Sequence, residues 1–376
     1  MKNFRKRWSL LTKKEKYIVY GVLGGVALAL ILGVTAFAMR QPEEGEPVST
    51  GELPTSEERE VEEVPPNISP LSGKECDRYN SRPIGVMVAS DTTARPLSGV
   101  NQAEIVVEMP VVSGSVTRLM AVFVCDTPEE VGSIRSARHD FTSLIRGWDA
   151  LFVHWGGSSF ALDELSTGVR YTGENLGPVD NINALNADGV FFRKNTVPAP
   201  HNGFASLPNA LAYAERQGYR LDEPTFEPYQ FLSSEQIGER LESAQAGTVY
   251  VGYAGIYSSR WEYNLDTNQY ARFWANQRDV DALDGEGVNV ENVIVMKAES
   301  RQIQDQYNTV NIYGEGDVRV YQNGQEIVGK WQKDGFKGTL RFVDAEGEEI
   351  ALVPGQSYIQ IIEPQQNVNW EPNVTE

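Results

Sequence analysis

Three arginines and two histidines carry the chemistry this sequence offers most plainly. The stretch EEVGSIRSARHDF (129–141) sets Arg135 and Arg138 three residues apart among small neighbours, with Arg118 upstream and His154 downstream. Guanidinium forks match phosphate and carboxylate oxygens. Read as a helix start, the stretch would put both arginines on one face and leave the N–H groups of Val131-Gly132-Ser133 free for the same anion. The other reading is an ordinary helix start whose arginines pair with Glu104, Glu108, Glu129 or Asp140. His154 ends an apolar run and precedes Trp155-Gly156-Gly157, and strand ends are where α/β sheets bind ligands. The loop APHNG (199–203) presents His201 and Asn202 between prolines and a glycine. His154 and His201 are therefore the candidate general bases. Each also reads as a histidine that hydrogen-bonds loop backbone.

Other chemistries find little support. The histidines are His139, His154 and His201, with no two at ligand spacing and no HExxH, so neither a metal nor a cofactor is expected. No G-x-S-x-G is present to place a serine nucleophile.

The elements that must hold these residues follow from periodicity. Short β-rich apolar runs occur at 83–89, 103–109, 117–124 and 150–156. Helices are expected over 136–149, 158–165 and 206–219, the last with Ser206 as N-cap, Pro208 in its first turn and Gly218 at its end. Alternating strands and helices predict an α/β or α+β N-terminal domain over 75–225. From 226 to 365 the pattern is mainly β, with Asn323-Gly324 a strong hairpin turn. Residues 366–376 read as a tail.

The chain has 376 residues and a formal net charge of −19, unevenly spread. Residues 1–40 hold eight basic residues and one acidic one, leaving 25 basic and 51 acidic in the remainder. That body repels nucleic acid, so no nucleic-acid partner is expected. Residues 17–39 carry no charge and follow a basic tail (1–16), which predicts a single transmembrane helix with a cytoplasmic N-terminus and the bulk of the chain outside. A cleaved signal is the competing reading. Residues 40–74, rich in Glu and Pro, predict a disordered acidic tether. Outside the cytoplasm Cys76 and Cys125 are free to form a disulfide, or they stay as two buried thiols.

These stretches together resemble the YerB family, extracytoplasmic proteins mostly of Gram-positive bacteria with two successive domains of unknown function. The resemblance rests on RPIGVMVASDTTARPLSGVNQAEIVVEM, VTRLMAVF, VGSIRSARHDF, DALFVHWGGSSFAL and PAPHNGFAS, with NVIVMKAES and DVRVYQNGQEIVGKWQKDG following. It adds Arg193 to the candidate site. Two positions depart from the pattern: Lys194 stands where an acid is usual, and Val197 where a basic residue is usual.

The expected function is a membrane-anchored envelope protein that binds an anionic envelope ligand, or a membrane or cell-wall protein. The binding set is Arg118, Arg135, Arg138, His154, Arg193, His201 and Asn202. The alternative is a phosphotransferase or hydrolase acting on a phosphorylated, lipid-linked or polymeric substrate. A purely structural domain would pair those arginines with carboxylates and leave no pocket.

Overall fold

A computed structural model of the chain describes residues 67–373. Its N-terminal half holds β1 (Ile84–Ala89), β2 (Ile105–Pro110), β3 (Thr117–Phe123), β4 (Val131–Gly132), β5 (Leu151–His154), β6 (Asn181–Asn183), β7 (Phe191–Arg193) and β8 (Gly203–Ala205). Helices α1 (His139–Gly147), α2 (Ser159–Thr167) and α3 (Leu207–Arg216) lie among them, and α4 (Ser234–Leu241) follows. The remainder is β: β9 (Gly247–Val251), β10 (Ser259–Asn264), β11 (Gln269–Trp274), β12 (Gln277–Arg278), β13 (Asn289–Val290), β14 (Asn292–Lys297), β15 (Ser300–Gln304), β16 (Tyr307–Val310), β17 (Gly314–Gln322), β18 (Gln325–Lys333), β19 (Arg341–Val343), β20 (Ser357–Ile362) and β21 (Val368–Pro372).

The expected boundary near 225/226 does not divide the main sheet. Ten strands run in the order β19-β18-β17-β14-β20-β2-β3-β1-β5-β6. The join is β20, which lies parallel to both β2 and β14. Every residue of β1, β2, β3 and β20 is buried. Strands covered on both faces have no solvent side, hence their unbroken apolar runs. Alternate residues serve opposite faces. Ile84, Val86 and Val88 join one core with Val249, Trp261 and Tyr270 of the smaller sheet and with α3, whereas Met87, Val107 and Met120 join another with Phe141 and Leu144 of α1 and Trp148 at its C-terminal cap. So helices do not cover both faces: much of one is packed by the second sheet, β12-β11-β10-β9-β21.

Local signals hold at several places. The Ser206 hydroxyl accepts from the Asn209 amide at 3.3 Å and caps α3. Asn323 and Gly324 both take positive φ, 52° and 63°, as the two-residue turn between β17 and β18 requires.

Three expectations are corrected. Residues 67–74 are not tether: Ile68 bridges Glu75, Leu71 is fully buried, and the Ser69 hydroxyl donates to Glu104. Residues 368–372 are not tail but edge strand β21 on β9, where Trp370 packs on Gly247. Ser136–Arg138 precede α1, and its N-cap Arg138 is extended at φ −129°, ψ 141°. Residues 1–66, including the apolar run 17–39, lie outside the described residues. Among the described residues no helix is long and apolar enough to cross a membrane.

Cys76 and Cys125 form a disulfide with Cα atoms 5.7 Å apart, tying the segment just before β1 to the chain just past β3. It closes a loop spanning 49 positions, worth roughly 4 kcal/mol in chain entropy. The Cys76→Ser, Cys125→Ser variant is expected to lose about 2–4 kcal/mol of stability, read as a lower urea midpoint.

Candidate functional site: an arginine cluster at a strand end

The cluster is assembled by a short extended segment that crosses three others. Ala89, at the end of β1, pairs with Arg118 on β3, and Asp91 follows two residues later. Residues 132–137 then run past β1: the Ala89 amide donates to the Ser133 carbonyl at 2.9 Å and the Arg135 amide to the Met87 carbonyl at 2.9 Å. The Trp155 amide, just beyond β5, donates to the Arg135 carbonyl at 3.0 Å, and the Ile134 amide donates to the Gly203 carbonyl at 2.7 Å. Arg118, Arg135, Asp91 and the 199–203 loop are thereby gathered at one place. The segment is extended and not a helix start: of the three amides expected to be free, that of Gly132 is taken by the Ser98 carbonyl, and those of Ile134, Arg135 and Ala137 beyond them are taken by strand and loop carbonyls.

None of the four acids expected to neutralise these arginines does so. Glu104 accepts from Ser69 and from the Cys125 amide, Glu108 pairs with Arg272, Glu129 accepts from Ser206, and Asp140 pairs with Arg170. The cluster has one carboxylate, Asp91, at the long range of 4.0 Å from Arg135 and 3.9 Å from the His201 Nδ1. Arg118 donates to the Ser136 carbonyl at 3.2 Å, and Arg138 to the Ala137 carbonyl at 3.1 Å while facing the Tyr307 ring. Among the described residues, the Nε groups of Arg118, Arg135 and Arg138 have no hydrogen-bond partner, nor do His201 Nδ1 and Asp91 Oδ2. Burial, then repulsion from Arg138 and Arg135, pulls the Arg118 guanidinium down to about 9. Burial also lowers Arg138. Unpaired buried cations cost free energy that a bound anion would recover.

A cavity of about 220 Å³ adjoins the cluster, lined by Ile134, Arg135, Ser136, Trp155, Arg193, Pro200 and Gly203. Arg193 lies 4.4 Å from the Trp155 ring centre and donates to Asn202 Oδ1 at 2.6 Å. Gly203 is required here: an added Cβ would sit 2.7 Å from the Trp155 ring. Lys194 does not enter; it pairs with Glu130 at 2.6 Å, so the departure from the usual acid is absorbed locally.

The candidates thus separate. Arg135 and Arg193 line the cavity, Arg118 and Arg138 add charge beside Arg135, His201 faces Asp91, and Asn202 orients Arg193. His154 stands apart. It is fully buried, with Nδ1 2.7 Å from the Gly156 carbonyl and Nε2 3.3 Å from Asn181 Oδ1. Both ring nitrogens are engaged, so it shapes the turn after β5 and is no candidate base. Asp91 and Tyr257 were missed. Asp91 sits in a polar turn with nothing to mark it, and Tyr257, raised by burial and by Asp91, arrives from the C-terminal half.

All three histidines are lowered, each first by burial; for His201, Arg135 and Arg118 add to this and Asp91 opposes it. A folded-state value below the unfolded one means that the unfolded chain binds the proton more readily. Each histidine's contribution is therefore intact above about pH 6.5 and is lost as pH falls, by up to about 1.4 kcal/mol per pH unit. The buried Glu164, raised to about 8, acts in the opposite sense over the same window, so the histidine effect is read by difference: relative to the parent, the melting temperature of His201→Gln is expected to rise as pH falls from 7.5 to 5.5.

Two family models match the chain: the N-terminal domain of a protein of unknown function (DUF3048) over residues 71–220, and its C-terminal domain over 249–359. The chain belongs to the DUF3048 family. It is 30% identical over 303 residues to YerB of Bacillus subtilis (strain 168), described as a candidate lipoprotein, covering 78% of this chain and 86% of YerB. The crystal structure of YerB from Bacillus subtilis superposes with a TM-score of 0.69 at 28% identity, over 80% of this chain and 99% of that one. The DUF3048 pair shares a single sheet here, and the arginine cluster lies wholly within the first segment except for Tyr257.

Proposed function

We propose that this DUF3048 protein is anchored in the membrane, lies outside the cytoplasm, and binds the anionic head of an envelope ligand at the Arg135–Arg193 cavity. One observation carries the reading: Arg118, Arg135 and Arg138 gather where their only ion pair among the described residues is the long one from Arg135 to Asp91, 4.0 Å, in a body whose net charge is strongly negative. Arg118 is buried with no carboxylate in ion-pair range, and Arg135 and Arg138 beside it are half-buried, an arrangement that is costly unless a ligand answers the charge. The cavity is smaller than a typical drug-sized pocket, which favours a compact phosphate, pyrophosphate or carboxylate group over a polymer segment. Anchoring draws on the uncharged run 17–39 behind a basic tail, and on the kinship with a candidate lipoprotein.

A second reading is favoured by Asp91 beside His201. A lowered histidine is neutral near pH 7 and free to take a proton, and the Asp91 carboxylate 3.9 Å from Nδ1, beyond hydrogen-bond reach, favours the charged form it would become. With the arginines stabilising phosphate charge, the site would then be an enzyme acting on a phosphorylated envelope substrate.

Thermal melting of the full chain against phosphate, pyrophosphate and a short polyprenyl phosphate tests the binding reading. Stabilisation by one of these that vanishes in Arg135→Ala, Arg138→Ala is the expected outcome. No shift with any of them overturns it. Release of inorganic phosphate that stops in His201→Gln selects the enzyme.

A further inference from the structure

A site for an anion has no evident use for a carboxylate, yet Asp91 stands beside this one. The two ordinary reasons for it fail on distance. As a counter-ion it lies 4.0 Å from the Arg135 Nη2, and as an orienting partner it lies 3.9 Å from the His201 Nδ1. Both gaps exceed hydrogen-bond length. Asp91 Oδ2, Arg135 Nε and His201 Nδ1 all lack a hydrogen-bond partner among the described residues. Nor is the carboxylate sealed off, since 27% of the side chain is exposed. Backbone contacts fix where it stands. Ala89 pairs with Arg118 and donates to the Ser133 carbonyl at 2.9 Å, and the Ala94 amide donates to the Asp91 carbonyl at 3.0 Å.

An ionised carboxylate accepts hydrogen bonds and donates none. Two hydrogen bonds of about 2.8 Å that meet at one oxygen set their outer atoms roughly 4–4.5 Å apart. The gap between Arg135 and Asp91 therefore suits one ligand oxygen that accepts from the guanidinium and donates to the carboxylate, as a hydroxyl does. Hydrogen phosphate carries such a hydroxyl beside its charge. Sulfate has the same shape but carries none at neutral pH, and it would bring two negative groups together. We propose, resting on the anion-site reading, that Asp91 is the selectivity residue of that site, admitting an oxyanion that bears a hydroxyl and rejecting one that is fully ionised. The hydroxyl belongs to free phosphate or to a phosphate monoester, which titrates at about pH 6 and takes up a proton to bind.

The test is calorimetric titration of the full chain at pH 7 with phosphate, sulfate and methyl phosphate. Phosphate is expected to bind at least about tenfold more tightly than sulfate, and Asp91→Asn, whose amide donates to sulfate, should bring the two within about threefold. The Asp91 side chain makes no hydrogen bond among the described residues, so this variant is expected to keep its fold, checked by its melting temperature. Methyl phosphate binding as phosphate does supports the proposal with the group at the end of a larger molecule. Phosphate binding alone supports it with the free ion as ligand. The proposal is overturned by sulfate binding as tightly as phosphate in the parent, by a preference unchanged in Asp91→Asn, or by absence of heat with phosphate. In each of these cases the anion site itself stands if the heat of sulfate, phosphate or pyrophosphate is lost in Arg135→Ala, Arg138→Ala, and falls with the proposal if none of the three gives heat.

Discussion

Replacing Arg118 by methionine is expected to raise the melting temperature of the unliganded chain while weakening its response to pyrophosphate. Arg118 is 6% exposed and positively charged beside Arg135 and Arg138. Its folded-state value of about 9 lies below the ordinary 12.5. A group depressed on folding destabilises the fold wherever it is charged, which here includes all physiological pH. Methionine removes that cost and keeps most of the volume. The Ser136 carbonyl loses a donor in exchange, so the net gain should be on the order of 1–3 kcal/mol. Binding should move the other way. Arg118 does not line the cavity, so what is lost is its charge beside Arg135, about 1 kcal/mol or more of attraction for the anion and a several-fold loss in affinity. A residue that weakens the fold and strengthens binding is what a ligand site requires; a structural arginine would weaken both when removed. Paired melting and titration of this single variant separates the two.

The second large effect lies where the two sheets meet. Glu108 of β2, fully buried, accepts from Thr117 at 2.7 Å on one oxygen and from Arg272 at 2.8 Å, Gln360 at 3.2 Å and Tyr358 at 3.3 Å on the other. Arg272 of β11, also fully buried, reaches Asp279 with its other arm, and Arg95 pairs with Asp279 at 2.6 Å. Burial pushes the Asp279 carboxyl up, but Arg95 and Arg272 outweigh it and hold it below the ordinary range. Arg272→Met strands Glu108 without its cation inside the core. The expected cost is about 3–5 kcal/mol, a large part of a typical domain's stability. Adding Glu108→Gln should recover part of it, because the stranded charge then disappears; a double-mutant cycle in urea measures the coupling.

Much of this was legible in the sequence because the signals are local. The buried strands announced themselves as apolar runs, Asn323-Gly324 as a turn, and Ser206 as a cap. The arginines of the cluster were visible as residue types at a strand end. Their partners were not, because partner choice is decided across the fold. Glu108 was taken up by Arg272, 164 positions away, and Asp140 by Arg170, 30 positions away. The helix expected from 136 begins at His139 because strand and loop carbonyls claim the amides of Arg135 and Ala137 first. His154 looked like a base at a strand end, but the turn at Gly156 (φ 66°) folds a carbonyl back onto its ring. The sharing of one sheet by two segments depends on β20 pairing with β2, whose Glu108 stands opposite Gln360. No pattern within either segment encodes that pairing.

The most direct test of the anion site is calorimetric titration of the full chain with pyrophosphate at pH 7, beside the Arg135→Ala, Arg138→Ala variant. One site per chain, with heat that disappears in the variant, is the predicted result. Equal heat in both proteins, or none in either, would contradict an anion site built on these arginines.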